Sequence, residues 1–185
     1  MAAPGDLALL DDVKAWLNLA TTGDDDLLGR LITAVSTGIV TWLGRQILSA
    51  DYQETRDGTG GRTLAFIQAP VSAVASLTID DRPIPAAADA HSPGYLFSAS
   101  RLSLLGYRFR PGLGNVQISY TAGYPAVPAD IAQACIQLVA MRYRERDRIG
   151  LVSKGLGGET TSFVQAAMPQ DVAAVLQRYR RVAPC

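Results

Sequence analysis

Ile118-Ser119-Tyr120-Thr121-Ala122-Gly123-Tyr124-Pro125, followed by Val127-Pro128-Ala129-Asp130 and closed by Arg142-Tyr143-Arg144-Glu145-Arg146-Asp147-Arg148, is the stretch that decides the fold. A β-prone run ends at Tyr120, and a helix begins about ten residues later. Pro128 suits a helix start because its fixed φ matches the first turn and its missing N–H is not needed there. A carboxylate at Asp130 favours the positive end of the helix dipole. Ile131, Ala134, Cys135, Leu138 and Val139 recur three and four apart, which puts them on one apolar face. Arginines crowd the last turn, where the negative end of the dipole favours cations. The pattern predicts a helix that docks on one side and presents cations on the other.

Towards the N-terminus, Asp11 or Asp12 is positioned to cap a short helix with Val13, Trp16 and Leu17 facing inward. Thr22-Gly23-Asp24 opens a longer one. In it Leu27, Leu28, Leu31, Ile32, Val35, Ile39, Trp42 and Leu43 keep helical period up to Gly44, a C-cap. Gly29 and Gly38 each cost about 1 kcal/mol relative to alanine. They either admit a close neighbouring helix or reflect weak constraint.

Beyond Gly44 the period shortens to that of strands: Tyr52–Arg56, Thr63–Ile67, Val71–Ile79, Tyr95–Phe97, Arg101–Leu105 and Asn115–Tyr120. Asp57-Gly58-Thr59-Gly60-Gly61 lacks the lysine and hydroxyl that end a phosphate loop, and a second β-prone run follows it. A hairpin turn is therefore predicted. Asp80-Asp81-Arg82-Pro83 reads as a turn, and Pro83–Pro93 as an exposed loop. Near the C-terminus Gly155-Leu156-Gly157-Gly158 reads as a flexible loop and Glu159–Val164 as a strand or extended arm. Pro169 starts a last helix with Val172, Val175, Leu176 and Tyr179 in one stripe. The fold class expected is α+β, with a helical body formed by residues 1–48 and 121–185 and a β-rich insertion over 49–120, all in one domain. Neither end buries enough apolar surface alone, so Leu31, Val35, Trp42, Ile131, Leu138 and Val139 are expected to share a core.

The 185 residues carry 48% hydrophobic and 18% charged side chains and no net charge, so no bulk attraction to nucleic acid or membrane follows. The charge is polarised, however. Residues 1–28 hold six aspartates against Lys14, a net of minus five, and from Met141 onward eight cations face four acids, a net of plus four. Such ends either meet head to tail between copies or are solvated or paired within one chain. The head-to-tail reading selects Asp24, Asp25 and Asp26 against Arg142, Arg144 and Arg146 as a subunit interface. Cys135 falls on an apolar face and Cys185 is the last residue, so no disulfide framework is expected and reducing conditions are. The first residues lack the order of a signal peptide, and no apolar run nears the ~20 residues of a membrane span, so a soluble protein is expected.

Chemistry-bearing patterns are scarce. The one histidine, His91, lies in a Ser-Pro-Gly loop. Asp24-Asp25-Asp26 lacks the alternating ligands and distant glutamate of a calcium loop, and helix capping explains it. No serine sits in a nucleophile elbow. No catalytic residue, metal site or cofactor is expected, and the chain reads as a non-enzyme. Arg142, Arg144, Arg146 and Arg148 lie two apart, about 200° around a helix, and acids interleave them, which suits salt bridges better than phosphate tracking. A DNA-binding accessory protein using these C-terminal arginines is the alternative.

Taken together, Asp12-Val13-Lys14-Ala15-Trp16-Leu17, Asp24-Asp25-Asp26-Leu27-Leu28 and Trp42-Leu43-Gly44-Arg45 resemble the opening of the head–tail connector (adaptor) proteins of tailed bacteriophages and gene transfer agents. Tyr120-Thr121-Ala122-Gly123-Tyr124, Val127-Pro128-Ala129-Asp130-Ile131 and Tyr143-Arg144-Glu145-Arg146 are similar to a second block of that family, and Leu176-Gln177-Arg178-Tyr179-Arg180-Arg181 to its close. The resemblance covers both helical ends well and the middle loosely. It implies a structural virion protein at the head–tail junction, assembled in the bacterial cytoplasm. In such proteins a ring, usually of twelve subunits, sits below the portal, extends the DNA channel without sequence-specific recognition, and receives a stopper or tail-completion protein. It further implies that the C-terminal helix reaches the portal, through Val172, Val175, Leu176, Tyr179, Arg178, Arg180 and Arg181. The other reading of that helix is that it packs on its own subunit.

Overall fold

Apolar residues at three-and-four spacing at both ends of the chain, and at alternate positions in its middle, dictate two kinds of packing. A computed structural model describes residues 3–146, 153–156, 159–162 and 168–180. The contacts divide into two compact units, Met1–Arg45 with Val127–Arg181, and Gln46–Ala126. The chain is thus α+β, with helices from its two ends joined in one body and a strand-rich middle.

The helical unit contains α1 (Leu10–Leu17), α2 (Asp25–Leu43), α3 (Ala129–Glu145) and α4 (Gln170–Gln177). Its centre is α2 against α3, with α1 and α4 packed on the same pair. Leu28, Ile32, Val35, Ile39 and Leu43 are buried on α2, and Ile131, Ala134, Cys135, Leu138 and Val139 on α3, as their spacing requires. Each buried leucine, isoleucine or valine is worth about 1.5–3 kcal/mol relative to exposure. Gly44 ends α2 with φ 67°, its N–H returning to the carbonyls of Val40 and Thr41.

Several local expectations fail in this unit. Leu9, rather than Asp11 or Asp12, holds the N-cap position of α1, and the two aspartates lie in the first turn, where they still oppose the dipole. Trp16 is 49% exposed while Val13 is fully buried, so α1 docks through a narrower stripe than predicted. A Cβ added to Gly29 or Gly38 meets nothing within 4 Å, so neither glycine admits a close neighbour. By length and composition alone α2 is a candidate membrane span, with 19 residues and a mean hydropathy of 1.2. Its buried stripe against α3 and its exposed Asp26 and Arg30 give it instead the pattern of a core helix. The C-terminal stretch also pairs β8 (Ser153–Leu156) antiparallel with β9 (Glu159–Ser162). Gly155 and Leu156 therefore belong to a strand and not to a loop. Gly157, Gly158 and Val164 lie outside the described residues.

In the strand-rich unit β1 (Ala50–Gly58), β7 (Gly112–Ala122), β3 (Val71–Ile79) and β4 (Arg82–Pro83) form an antiparallel sheet in the order β1-β7-β3-β4. A second sheet has the order β2-β6-β5, from β2 (Thr63–Ala65), β6 (Arg101–Leu105) and β5 (Gly94–Phe97). Val116, Ile118, Tyr120 and Ala122 alternate inward along β7 and meet Leu77, Leu102, Leu104 and Phe109 in one core. The Tyr120 ring lies 4.8 Å from that of Phe66 and 5.7 Å from that of Tyr52. Asp80 and Asp81 have φ of 51° and 58°, the positive pair that a two-residue hairpin needs, and they turn β3 into β4.

The hairpin predicted at Asp57–Gly61 is absent. β1 pairs with β7 and β2 with β6, so this glycine-rich segment crosses from one sheet to the other. The glycines serve close approach there: a Cβ on Gly58 would fall 1.8 Å from the Arg110 carbonyl oxygen. The loop over residues 83–93 is also more anchored than predicted. Ile84 is buried, and backbone hydrogen bonds of 2.9 Å join Ala87 and Pro85 to Tyr95. Where the chain enters and leaves the unit, Leu48 bridges Tyr124, with Ser49 N donating to Tyr124 O at 2.9 Å and Tyr124 N to Ile47 O at 2.8 Å.

Candidate assembly surfaces

The aspartates at the start of α2 have different surroundings. Asp24 accepts a 2.5 Å hydrogen bond from the Tyr143 hydroxyl, which holds the phenol proton on above its ordinary range. Asp25 is paired with Lys14 at 2.7 Å. Asp26 is exposed, and its backbone carbonyl accepts from Arg30 Nε. Of the arginines on α3 and at its end, Arg142 and Arg144 are exposed, whereas the Arg146 guanidinium lies 3.9 Å from the Tyr143 ring centroid and donates to the Tyr143 carbonyl. Asp24, Tyr143 and Arg146 therefore meet within a single chain, through a tyrosine that the charge pattern alone does not single out. Asp26, Arg142 and Arg144 remain outward-facing.

The stripe on α4 is largely used by the chain itself. Val172 and Leu176 are 2% and 0% exposed, and Val175 and Tyr179 are half-buried. The Tyr179 hydroxyl donates to the Asp130 carboxylate at 2.8 Å, and the Arg180 guanidinium lies 5.4 Å from the Trp42 ring centroid. Two of the predicted portal contacts are thus buried in their own subunit, which leaves Arg178 and Arg180 exposed on the outside. Arg181 lies outside the described residues.

Titratable groups elsewhere are structural in character. The Cys135 thiol is buried, with the Ser36 hydroxyl 3.6 Å away, and burial pushes it up to about 11. Glu54, with its side chain 7% exposed, accepts from the Tyr120 hydroxyl, from Ile67 N at 3.0 Å and from Arg56 at 3.3 Å. Burial, reinforced by Glu54, raises the Tyr120 phenol well above its ordinary range. Asp89 accepts from His91 N, Ser92 N and Ser92 Oγ, which lowers its carboxyl and shapes the loop around His91. Among the described residues no group of three or more His, Cys, Asp or Glu stands close enough to hold a metal ion.

One arrangement is invisible in the linear pattern. Arg62, Arg82 and the near neighbours Arg108 and Arg110, from three separate stretches of sequence, line a single hollow of about 500 Å³ in the strand-rich unit.

A helical body from the two chain ends with a strand-rich middle is the architecture of solved virion neck chains. The chain is similar to a component of the neck of an empty GTA particle computed with sixfold symmetry, at 23% identity and TM-score 0.60, over 100% of this chain and 95% of that one. It is similar also to a neck chain of the native GTA particle computed with twelvefold symmetry, at 22% identity and TM-score 0.60, over 100% and 94%. A chain of the virion of the native gene transfer agent (GTA) particle matches at 23% identity and TM-score 0.62, over 100% and 95%. These likenesses concern the fold. A model of the family described as head completion protein matches residues 6–182, and the chain belongs to that family. It is a structural virion protein of the head–tail region, in a family that is not a class of enzymes, and the resemblance to head–tail connectors read from the sequence is borne out. No curated protein matches the chain in sequence.

Proposed function

We propose that copies of this chain close into a ring at the virion head–tail junction, below the portal, continuing the DNA passage and offering a platform for the stopper or tail. The observation that carries this reading is the family match over residues 6–182, supported by a fold shared along its whole length with neck chains of particles computed with sixfold and twelvefold symmetry. Twelve copies is the number we propose. The ring is built head to tail, since a heterologous contact closes when its rotation divides a full turn. Asp26 on one copy faces Arg142 and Arg144 on the next, while Asp24, Asp25 and Arg146, already engaged within the chain, brace the two faces. Exposed pairs contribute only about 0–1 kcal/mol each, so they set register and apolar contacts supply affinity.

The portal contact is made by the outer side of α4 and the residues after it. Val172 and Leu176 hold the helix on its own subunit, and Arg178 and Arg180 are presented outward. The test is reversal of Arg142 and Arg144 to glutamate, read as incorporation into neck-bearing particles by electron microscopy and as mass by light scattering with the portal present. A folded monomer that fails to incorporate is expected. Normal rings from this variant would remove the electrostatic interface, and particles that complete their heads and tails without the protein would remove the connector role.

A further inference from the structure

In the strand-rich unit six arginines balance six acids, yet four of the arginines gather around one hollow with a single acid on its lining. Asp51 accepts from the Thr121 hydroxyl, Asp57 from Gly114 N, Asp80 from Asn115 Nδ2 and Asp89 from its own loop, Glu54 takes Arg56, and Asp81 is exposed in the turn before Arg82. Arg62, Arg82, Arg108 and Arg110 are all exposed around the 500 Å³ hollow, and among the described residues none of them forms an ion pair. Asp80 is the one acid on its lining, and Tyr107, 37% exposed, is its aromatic member.

The hollow has a fixed frame. Phe109 is fully buried, with its N–H donating to Gly61 O at 2.9 Å and its carbonyl accepting from Gly60 N, so Arg108 and Arg110 are turned outward on either side of it. Asn115 ties the same region together, accepting from Gly58 N at 2.9 Å and donating to Arg110 O at 3.0 Å and to Asp80 at 2.9 Å. Arg82 is held by β4 in its pairing with β3.

We propose that this arginine hollow is a contact site for the phosphate backbone of duplex DNA. Four guanidinium groups against one carboxylate on a preset frame, with Arg108 Nη1 also donating to Gly60 O at 3.4 Å, offer charge-assisted donors to phosphate oxygens, and counterion release supplies the affinity without reading sequence. Protein–DNA interfaces are much more positively charged than protein–protein ones, so four arginines against a single carboxylate around one hollow favour the nucleic acid over an acidic protein surface. The inference deepens the proposed function and rests on its reading that DNA crosses this junction. The experiment below uses the isolated chain, so its failure leaves the particle-assembly test standing.

The probe is a fluorescent mixed-sequence duplex of about 20 base pairs, titrated with the full chain by anisotropy from about 20 to 200 mM salt. Wild type is expected to bind with a log–log salt slope of about −3 to −4, as four phosphate contacts require. Arg108→Ala with Arg110→Ala should bring the slope to about −2 and weaken binding at about 50 mM salt by roughly one to two orders of magnitude. Arg101→Ala, in the same unit but away from the hollow, should match wild type. Arg62→Ala with Arg82→Ala is the second variant, and an unchanged thermal melt shows that each one folds. Undetectable binding at low salt, a double variant with wild-type slope, or polyglutamate displacing the duplex at equal charge concentration would each overturn the proposal.

Discussion

Leu176→Ala is the sharpest test of how the last helix is held. Leu176 is 0% exposed and Val172 2% exposed, so the α4 stripe is part of the helical core rather than a free docking surface. Truncation removes three carbon groups, worth about 2.4 kcal/mol at about 0.8 each, and the space left behind adds a cavity term. Buried leucine-to-alanine changes span about 2–5 kcal/mol, and about 3 is expected here. For a chain of this length each kcal/mol moves the midpoint by about 2–4 °C, so the helical transition should fall by about 6–12 °C. Far-ultraviolet circular dichroism during heating, with a urea titration to confirm an unchanged slope, measures it. Arg178→Ala, on the exposed side, should stay within about 0.5 kcal/mol of wild type. A Leu176→Ala cost below about 1 kcal/mol would refute the reasoning, because it would mean that α4 is not docked in the isolated subunit.

The phenol of Tyr120 has its folded pKa raised by burial, whereas the unfolded value lies near 10, so the associated stability is complete below about pH 10 and falls as pH rises beyond it. Tyrosinate absorbance should show this phenol ionising only as the strand-rich unit unfolds, and ionisation of all seven tyrosines near their ordinary value in folded protein would contradict that. Gly58→Ala forces a Cβ to 1.8 Å from the Arg110 carbonyl oxygen and should cost about 1–3 kcal/mol, while Gly29→Ala, in open space within α2, should gain about 1 kcal/mol. Chemical denaturation of the pair checks the opposite signs. In a Cys185→Ser background, Cys135, pushed up to about 11 by burial, should react with a thiol reagent only as the helical unit opens. Labelling of the native protein at the rate of a small free thiol would show that the thiol is accessible.

Helices were legible because their signal is local. The spacing of Leu28 through Leu43 and of Ile131 through Val139 determines a buried face without reference to the rest of the chain. Strand positions were legible for the same reason, and the Asp80-Asp81 turn follows from two adjacent residues that tolerate positive φ. Strand partners were not. Ala50 pairs with Ala122 across the whole unit, and nothing near Asp57–Gly61 tells a hairpin from a crossing between sheets. Trp16 has the right spacing to be buried, yet α1 is only eight residues long and docks chiefly through Val13. The charge asymmetry singles out Asp24 and Arg146 for a contact between copies, whereas within the chain both meet Tyr143, an uncharged residue that a charge pattern passes over. The four arginines of the hollow come from three segments, Arg108 and Arg110 sharing one, and converge through the Phe109 and Asn115 anchors, which are tertiary facts.

The Leu48–Tyr124 bridge, with its two backbone hydrogen bonds, fastens the beginning and end of the strand-rich unit side by side. A module whose ends already touch has little loop-closure entropy to lose on being cut out and expressed as a free-standing piece. The same adjacency makes the unit suited to circular permutation, with its natural ends fused and new ones opened at the exposed tip near Leu113.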